Sequence, residues 1–185
     1  MEIVNFFEKL AGRWFSQRTT HALSTQQSKA GKSDLEIEFL PPEADAVQQL
    51  YQQADTGSGL SAAEVPAPLC GLLIQQSSTI EGDSNPQVST TLMVPLVPAN
   101  ADPYTGILLR SGTNEKSTYS LEEEVLTIVN DNKDVHSEER LWFVNDNLRM
   151  RTGTTELKSG ANSGLRIASF CSEIRLGVKP PKVDS

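Results

Sequence analysis

The stretch Glu138-Glu139-Arg140-Leu141-Trp142-Phe143-Val144-Asn145-Asp146-Asn147-Leu148-Arg149-Met150-Arg151-Thr152-Gly153 reads as two short antiparallel strands joined by a tight polar turn. The run from Val135 to Val144 carries His, Trp, Phe and Val, residue types that suit a pleated, half-buried surface. Asn145-Asp146-Asn147 tolerates left-handed backbone angles and hydrogen-bonds its own main chain, so the chain reverses there. In the second run a period of two puts Asn147, Arg149, Arg151 and Gly153 on one face and Leu148, Met150 and Thr152 on the other. On the partner strand Glu139 shares its face with Ser137, Leu141 and Phe143, while His136, Glu138, Arg140 and Trp142 take the other.

Arg149 and Arg151 therefore point the same way, roughly 6–7 Å apart along the strand. Such a pair is either a solvated surface or a pocket for an anionic ligand. Arginine suits the second task because its planar fork grips a carboxylate with two parallel charge-assisted hydrogen bonds. Glu139 would then orient the pair or accept a ligand N–H. Spacing alone leaves both readings open.

A chain of 185 residues with 37% hydrophobic and 22% charged content is long enough for one barrel or sandwich with a real core. The expected division is a single domain over 1–178 and a flexible Pro/Lys-rich tail over 179–185. No run of eighteen apolar residues occurs, so no membrane span is expected. The segment Met1-Glu2-Ile3-Val4-Asn5-Phe6-Phe7 lacks a basic n-region and a small-residue cleavage site, which points to the cytoplasm. A net charge of −8 disfavours nucleic acid and anionic membranes as partners, because phosphate binding needs a basic surface. A small anion held by a local arginine cluster stays compatible with that charge. Cys70 and Cys171 are expected as reduced thiols, and two Cys with the distant His21 and His136 are too few for a zinc cluster.

Apolar positions at 3, 6, 7 and 10 have the spacing of an amphipathic helix, which Ala11-Gly12 stops. Strands are expected from Arg13 to Leu23 and from Asp34 to Leu40, with a polar loop or mobile hairpin over 24–33 between them. A short helix falls within Glu43 to Asp55 and is closed by Gly57-Ser58-Gly59. From Leu69 onward short strands alternate with turns, among them Val88 to Val97 broken near Pro95, Tyr104 to Arg110, and two strands framing Glu122-Glu123-Glu124. The last strand runs from Leu165 to Leu176. This pattern indicates an all-β antiparallel sandwich or barrel with one N-terminal and one insertion helix. Closure into a barrel would remove the exposed edges.

Gly12-Arg13-Trp14 at the start of the first strand, with Arg175 near the end of the last, resembles the lipocalin closure. There a tryptophan packs beneath a late basic side chain, a cation–π contact worth about 0.5–2 kcal/mol. Trp14-Phe15-Ser16-Gln17-Arg18-Thr19-Thr20-His21, Gly106-Ile107-Leu108-Leu109-Arg110, Ser137-Glu138-Glu139-Arg140-Leu141-Trp142-Phe143, Asn147-Leu148-Arg149-Met150-Arg151-Thr152 and Ser169-Phe170-Cys171-Ser172-Glu173-Ile174-Arg175 go further. In that order they resemble the S/U-type phycobiliprotein lyases, from about residue 3 to 177.

The resemblance implies a lipocalin-like barrel of about ten strands that binds an open-chain tetrapyrrole of the phycocyanobilin type. The bilin would be a bound substrate, with no prosthetic group. It would be attached through a thioether to a cysteine of an apo-phycobiliprotein subunit, of phycocyanin or allophycocyanin type. Glu139 and Arg149 are then expected as catalytic residues, with Arg18, Arg149, Arg151, Glu173 and Trp142 binding the ligand. The alternatives are a bilin carrier that does not transfer, a partner subunit of a heteromeric lyase, and a lipocalin for apolar ligands. A homodimer or a heterodimer with a related lyase subunit is compatible with the sequence. Many relatives have Trp in the strand where Gln75-Gln76-Ser77 stands here, and Ser where Gly153 stands.

Overall fold

Ile3, Phe6, Phe7 and Leu10 all point to one side of helix α1 (Ile3–Leu10), and all four are buried. Eight residues are too few to hold a helix in water unaided. Burial of that stripe, worth about 1.5–3 kcal/mol for each large side chain, fixes it in place. The computed structural model describes residues 1–54, 66–97, 104–113 and 115–177. The Gly57-Ser58-Gly59 helix stop, Asn114 and the tail from 179 lie outside them.

The remaining elements are β1 (Gly12–Ala22), β2 (Gln27–Leu40), α2 (Asp45–Gln53), β3 (Ala67–Pro68), β4 (Gly71–Ile80), β5 (Gln87–Val97), β6 (Thr105–Arg110), β7 (Ser117–Glu122), β8 (Val125–Asp131), β9 (Val135–Asn145), β10 (Leu148–Leu157) and β11 (Arg166–Arg175). The sheet runs β5-β4-β2-β1-β11-β10-β9-β8-β7-β6, and β6 pairs back onto β5. Ten antiparallel strands thus form a closed ring, while the two-residue β3 pairs with the end of β5. The closing seam runs from Met93↔Arg110 to Leu96↔Ile107. The all-β barrel with two helices read from the sequence is the fold observed.

α1 plugs one end of the ring. Its apolar side meets Trp14, Leu35, Leu72, Leu108, Tyr119 and Leu141, among other inward side chains. Phe6 and Phe7 make edge-to-face contacts with Phe143 and Tyr119 at centroid distances of 5.3 and 5.6 Å. A second apolar cluster lies outside the ring, where Val47 of α2 covers Leu92, Val94, Leu96 and Leu109. β5 is therefore apolar on both faces, which is why its C-terminal half reads as a continuous hydrophobic run.

Two expectations need correction. Residues 27–33 are the first half of β2, paired with β1 from Ala22↔Gln27 onward, and only a short turn precedes them. They pass beyond the apolar core, so no hydrophobic alternation marks them; backbone pairing holds them, with side-chain hydrogen bonds at Ser28 and Ser33. Pro95 does not break β5: it stands between the β4 ladder, which reaches Met93, and the β3 ladder, which begins at Leu96. Its missing N–H falls between those two ladders, as proline in a sheet requires.

Candidate functional site

Register builds the interior layer by layer. Trp14 faces Arg175 across β1 and β11, then come Ser16↔Glu173, Arg18↔Cys171 and Thr20↔Ser169. On the other side of β11, Glu173 faces Arg149, Cys171 faces Arg151 and Ser169 faces Gly153. The next strand adds Phe143, Leu141 and Glu139 opposite Arg149, Arg151 and Gly153. Alternation along four strands thus gathers Arg18, Glu139, Arg149, Arg151 and Glu173 on one inner wall.

The lowest layer is a sealed floor. The Trp14 ring lies between two guanidinium groups, Arg149 at 4.1 Å and Arg175 at 4.2 Å from its centroid. Its indole N–H donates to the Leu10 carbonyl at 3.0 Å. Arg175 donates to the carbonyls of Lys9, Ala11 and Asp146. The carbonyls left open at the end of α1 thereby gain positive partners, where a helix C-terminus favours them. Gly12 has φ +120°, and a Cβ there would lie 2.6 Å from the Arg175 guanidinium. Any side chain at Gly12 would displace that clamp.

Arg149 is 3% exposed and Glu173 0%. Arg149 Nε donates to one Glu173 oxygen at 2.5 Å, and Arg151 donates to the other at 2.9 Å. The Ser16 hydroxyl adds a further hydrogen bond to Glu173. Burial pushes the Glu173 carboxyl up, yet Arg151 and Arg149 outweigh it and hold the group below the usual Glu value. Burial lowers the Arg149 guanidinium to about 10 against the pull of Glu173. Arg151 is partly open, and Glu139 lies 3.6 Å from it on the cavity side. Burial works to lower Arg151, but Glu139 and Glu173 hold it above its ordinary value. Cys171 stands beside Arg151 as a free thiol, and its pKa is raised chiefly by burial.

Above the floor the interior is polar and hollow. Arg110, Glu139, Gly153, Ser169 and Asn130 border a cavity of about 350 Å³. A second hollow, of about 330 Å³, is bordered by Arg18, Thr20, Gly31, Ile80 and Ile167. Both lie within the lower part of the range of roughly 300–1,000 Å³ typical of small-molecule sites. Gln76, Ser33 and Ser78 hydrogen-bond one another on the β2–β4 wall. A Cβ at Gly153 would lie 2.8 Å from the Ser169 hydroxyl, so a side chain there would take cavity space. A wider concavity of about 680 Å³ lies on the outer wall, bordered by Gln17, Thr19, Lys32, Thr79 and Phe170. Of the inner-wall arginines it touches Arg18 alone, and Glu81 and Asp83 border it as well, so the interior is the better candidate for an acidic ligand.

The residues expected from the sequence thus separate. Arg18 and Glu139 border the hollow part, Arg151 is partly open beside Glu139, and Arg149 and Glu173 are consumed by each other in the floor. Trp142 pairs with Met150 and Val125, facing outward, so it does not reach the interior and its expected place in the ligand set needs correction. Arg110 is a cavity residue that sequence reasoning missed. Its signal was the alternation Gly106-x-Leu108-x-Arg110, which puts it on the inner face.

The closed ten-stranded antiparallel barrel, with its floor plugged by α1 and guanidinium groups on the inner wall, is the lipocalin-like architecture expected from the sequence. The model of the CpeS-like protein family matches residues 2–176, and the chain belongs to that family. It is 37% identical to the chromophore lyase CpcS/CpeS of Thermosynechococcus vestitus, covering 98% of this chain and 96% of that one. The phycocyanobilin lyase subunit CpcS of Picosynechococcus is 29% identical over 95% of this chain and 86% of its own length. The S-type phycobiliprotein lyase CPES from Guillardia theta superposes with a TM-score of 0.79 at 22% identity, covering 97% of this chain and 95% of that chain.

Proposed function

We propose that this chain is a chromophore lyase that holds an open-chain tetrapyrrole of the phycocyanobilin type inside the barrel and adds it to a cysteine of an apo-phycobiliprotein subunit. The observation that carries this reading is the family match over residues 2–176, on a barrel whose hollow half contains an inward guanidinium with no carboxylate partner among the described residues. A bilin carries two propionates and a row of pyrrole N–H groups. Arg18 takes a propionate. Arg151, still partly open, contributes a second cationic edge while Glu173 and Glu139 keep it in place. Glu139 accepts from pyrrole N–H and keeps the chromophore protonated, which makes its ethylidene carbon more electrophilic.

The attacking sulfur belongs to the acceptor subunit. Its thiol adds across the exocyclic double bond: a C–S bond forms at the ethylidene carbon, and a proton ends on the neighbouring ring carbon. Nothing leaves and nothing is oxidised. The barrel's contribution is to hold the pigment in one pose and expose one carbon, which is catalysis by positioning. Arg149 acts through Arg151 and Glu173 as a positioning residue.

The test is to mix the protein with phycocyanobilin and an apo-phycobiliprotein subunit and to look for zinc-enhanced fluorescence on a denaturing gel. A covalent fluorescent band is the expected result. A shifted bilin spectrum without a band, turning into a band once a related lyase chain is added, would assign the protein to a heteromeric lyase. The word "subunit" in the name of the Picosynechococcus relative favours that second reading. No spectral shift and no band would overturn both.

A further inference from the structure

We propose that Arg110 is a second carboxylate-holding residue of the interior, facing Arg18 across the barrel, so that the two guanidinium groups together take a ligand with two acid arms. The inference rests on the bilin reading above and extends it to a residue on the opposite wall.

Arg110 ends β6, and its register partner Met93 packs against the inner core, so Arg110 also points inward. Its Nε is buried and has no hydrogen-bond partner among the described residues. A buried donor left unpaired is costly, and a guanidinium is seldom left so without a role. Among the described residues no carboxylate lies within ion-pair distance of it. Three carboxylate residues do border the same cavity, and each is engaged elsewhere: Glu138 pairs with Arg140. Glu139 is tied to Arg151, and Glu115 accepts from the amides of Asn130 and Asn132.

Arg18 is the matching group. It too forms no ion pair with a described carboxylate, whereas Arg149 and Arg151 beside it are paired with Glu173 and Glu139. Around the ring β1 and β6 are separated by β2, β4 and β5 on one side and by β11, β10, β9, β8 and β7 on the other. They therefore stand nearly opposite each other. Two unneutralised forks on facing walls, each at a hollow of its own, suit a long ligand with a carboxylate towards each wall.

The experiment titrates phycocyanobilin and its dimethyl ester into the wild-type protein, Arg110→Gln and Arg110→Lys, following the bilin absorption spectrum, with thermal unfolding of each protein in parallel. The expected result is a loss of about tenfold or more in affinity of Arg110→Gln for the free acid. Its affinity for the ester should stay within about twofold of wild type, because the missing interaction is with the carboxylate. Arg110→Lys should recover part of the loss, since a lysine keeps the charge but not the fork. The unfolding temperature of Arg110→Gln should match or exceed that of wild type, because no described carboxylate pairs with Arg110 and its buried Nε is unbonded. Equal losses for acid and ester, no loss for either, or a clearly lowered unfolding temperature would each overturn the role assigned to Arg110. A wild-type protein that binds neither pigment would overturn the bilin reading, and this inference with it.

Discussion

The two halves of the barrel interior treat arginine in opposite ways. At the floor, Arg149 and Arg175 sandwich Trp14, and their N–H groups reach Glu173 and the carbonyls that end α1. In the hollow half, Arg18 and Arg110 stand on nearly opposite strands with no described carboxylate partner, and the buried Arg110 Nε has no hydrogen bond among the described residues. The same side chain closes the fold in one place and, in the proposed function, takes a ligand in the other. What separates the two is whether its hydrogen-bonding capacity is met from within the chain.

That contrast can be broken by substitution. Arg149→Ala leaves Glu173 buried with half its partners and should cost about 3–5 kcal/mol of stability, read from denaturant unfolding. If Arg149 served the ligand alone, the unfolding curve would hardly move. Arg18→Gln should do the reverse: phycocyanobilin affinity should fall about tenfold, with stability inside about 0.5 kcal/mol of wild type.

Acid sharpens the same comparison. Glu173 is held below its ordinary value, so its ion pairs stabilise the fold fully above about pH 5 and lose that contribution as pH falls through the lowered folded value. The unfolding temperature of wild type should therefore drop on that acid limb, and Glu173→Gln should be less stable at neutral pH with a flatter limb. An acid limb of equal slope in both proteins would show that the floor does not depend on this carboxylate. The smallest effect concerns the β7–β8 turn, where Glu123 and Glu124 have φ of 49° and 64°. Replacing Glu124 with Gly should relieve the left-handed strain and raise stability by about 1 kcal/mol without changing bilin binding.

Much of this was legible in the sequence because period decides face. The α1 stripe, the hairpin through Asn145-Asp146-Asn147 and the shared inner face of Arg149, Arg151 and Glu139 all follow from spacings of 3.6 and 2. Trp142 shows the opposite lesson: alternation with Glu139 and Leu141 already puts it outside, and its size is no argument for the ligand site. The assignment of Arg149 to the floor was not legible. It depends on the β10–β11 register, which sets Glu173 opposite Arg149 from 24 residues away. The rim half of β2 was hidden because strands beyond the core lose their hydrophobic signature. Arg110 was hidden because a lone arginine after an apolar run gives no sign of whether a carboxylate will meet it.

The most direct measurement sets Arg18→Gln and Arg149→Gln side by side, each followed by phycocyanobilin titration and by thermal unfolding. The division of labour predicts that Arg18→Gln unfolds with wild type and binds the pigment at least tenfold more weakly, while Arg149→Gln melts well below wild type. An Arg149→Gln protein with full thermal stability and lost pigment binding, beside an Arg18→Gln protein that binds normally, would contradict it.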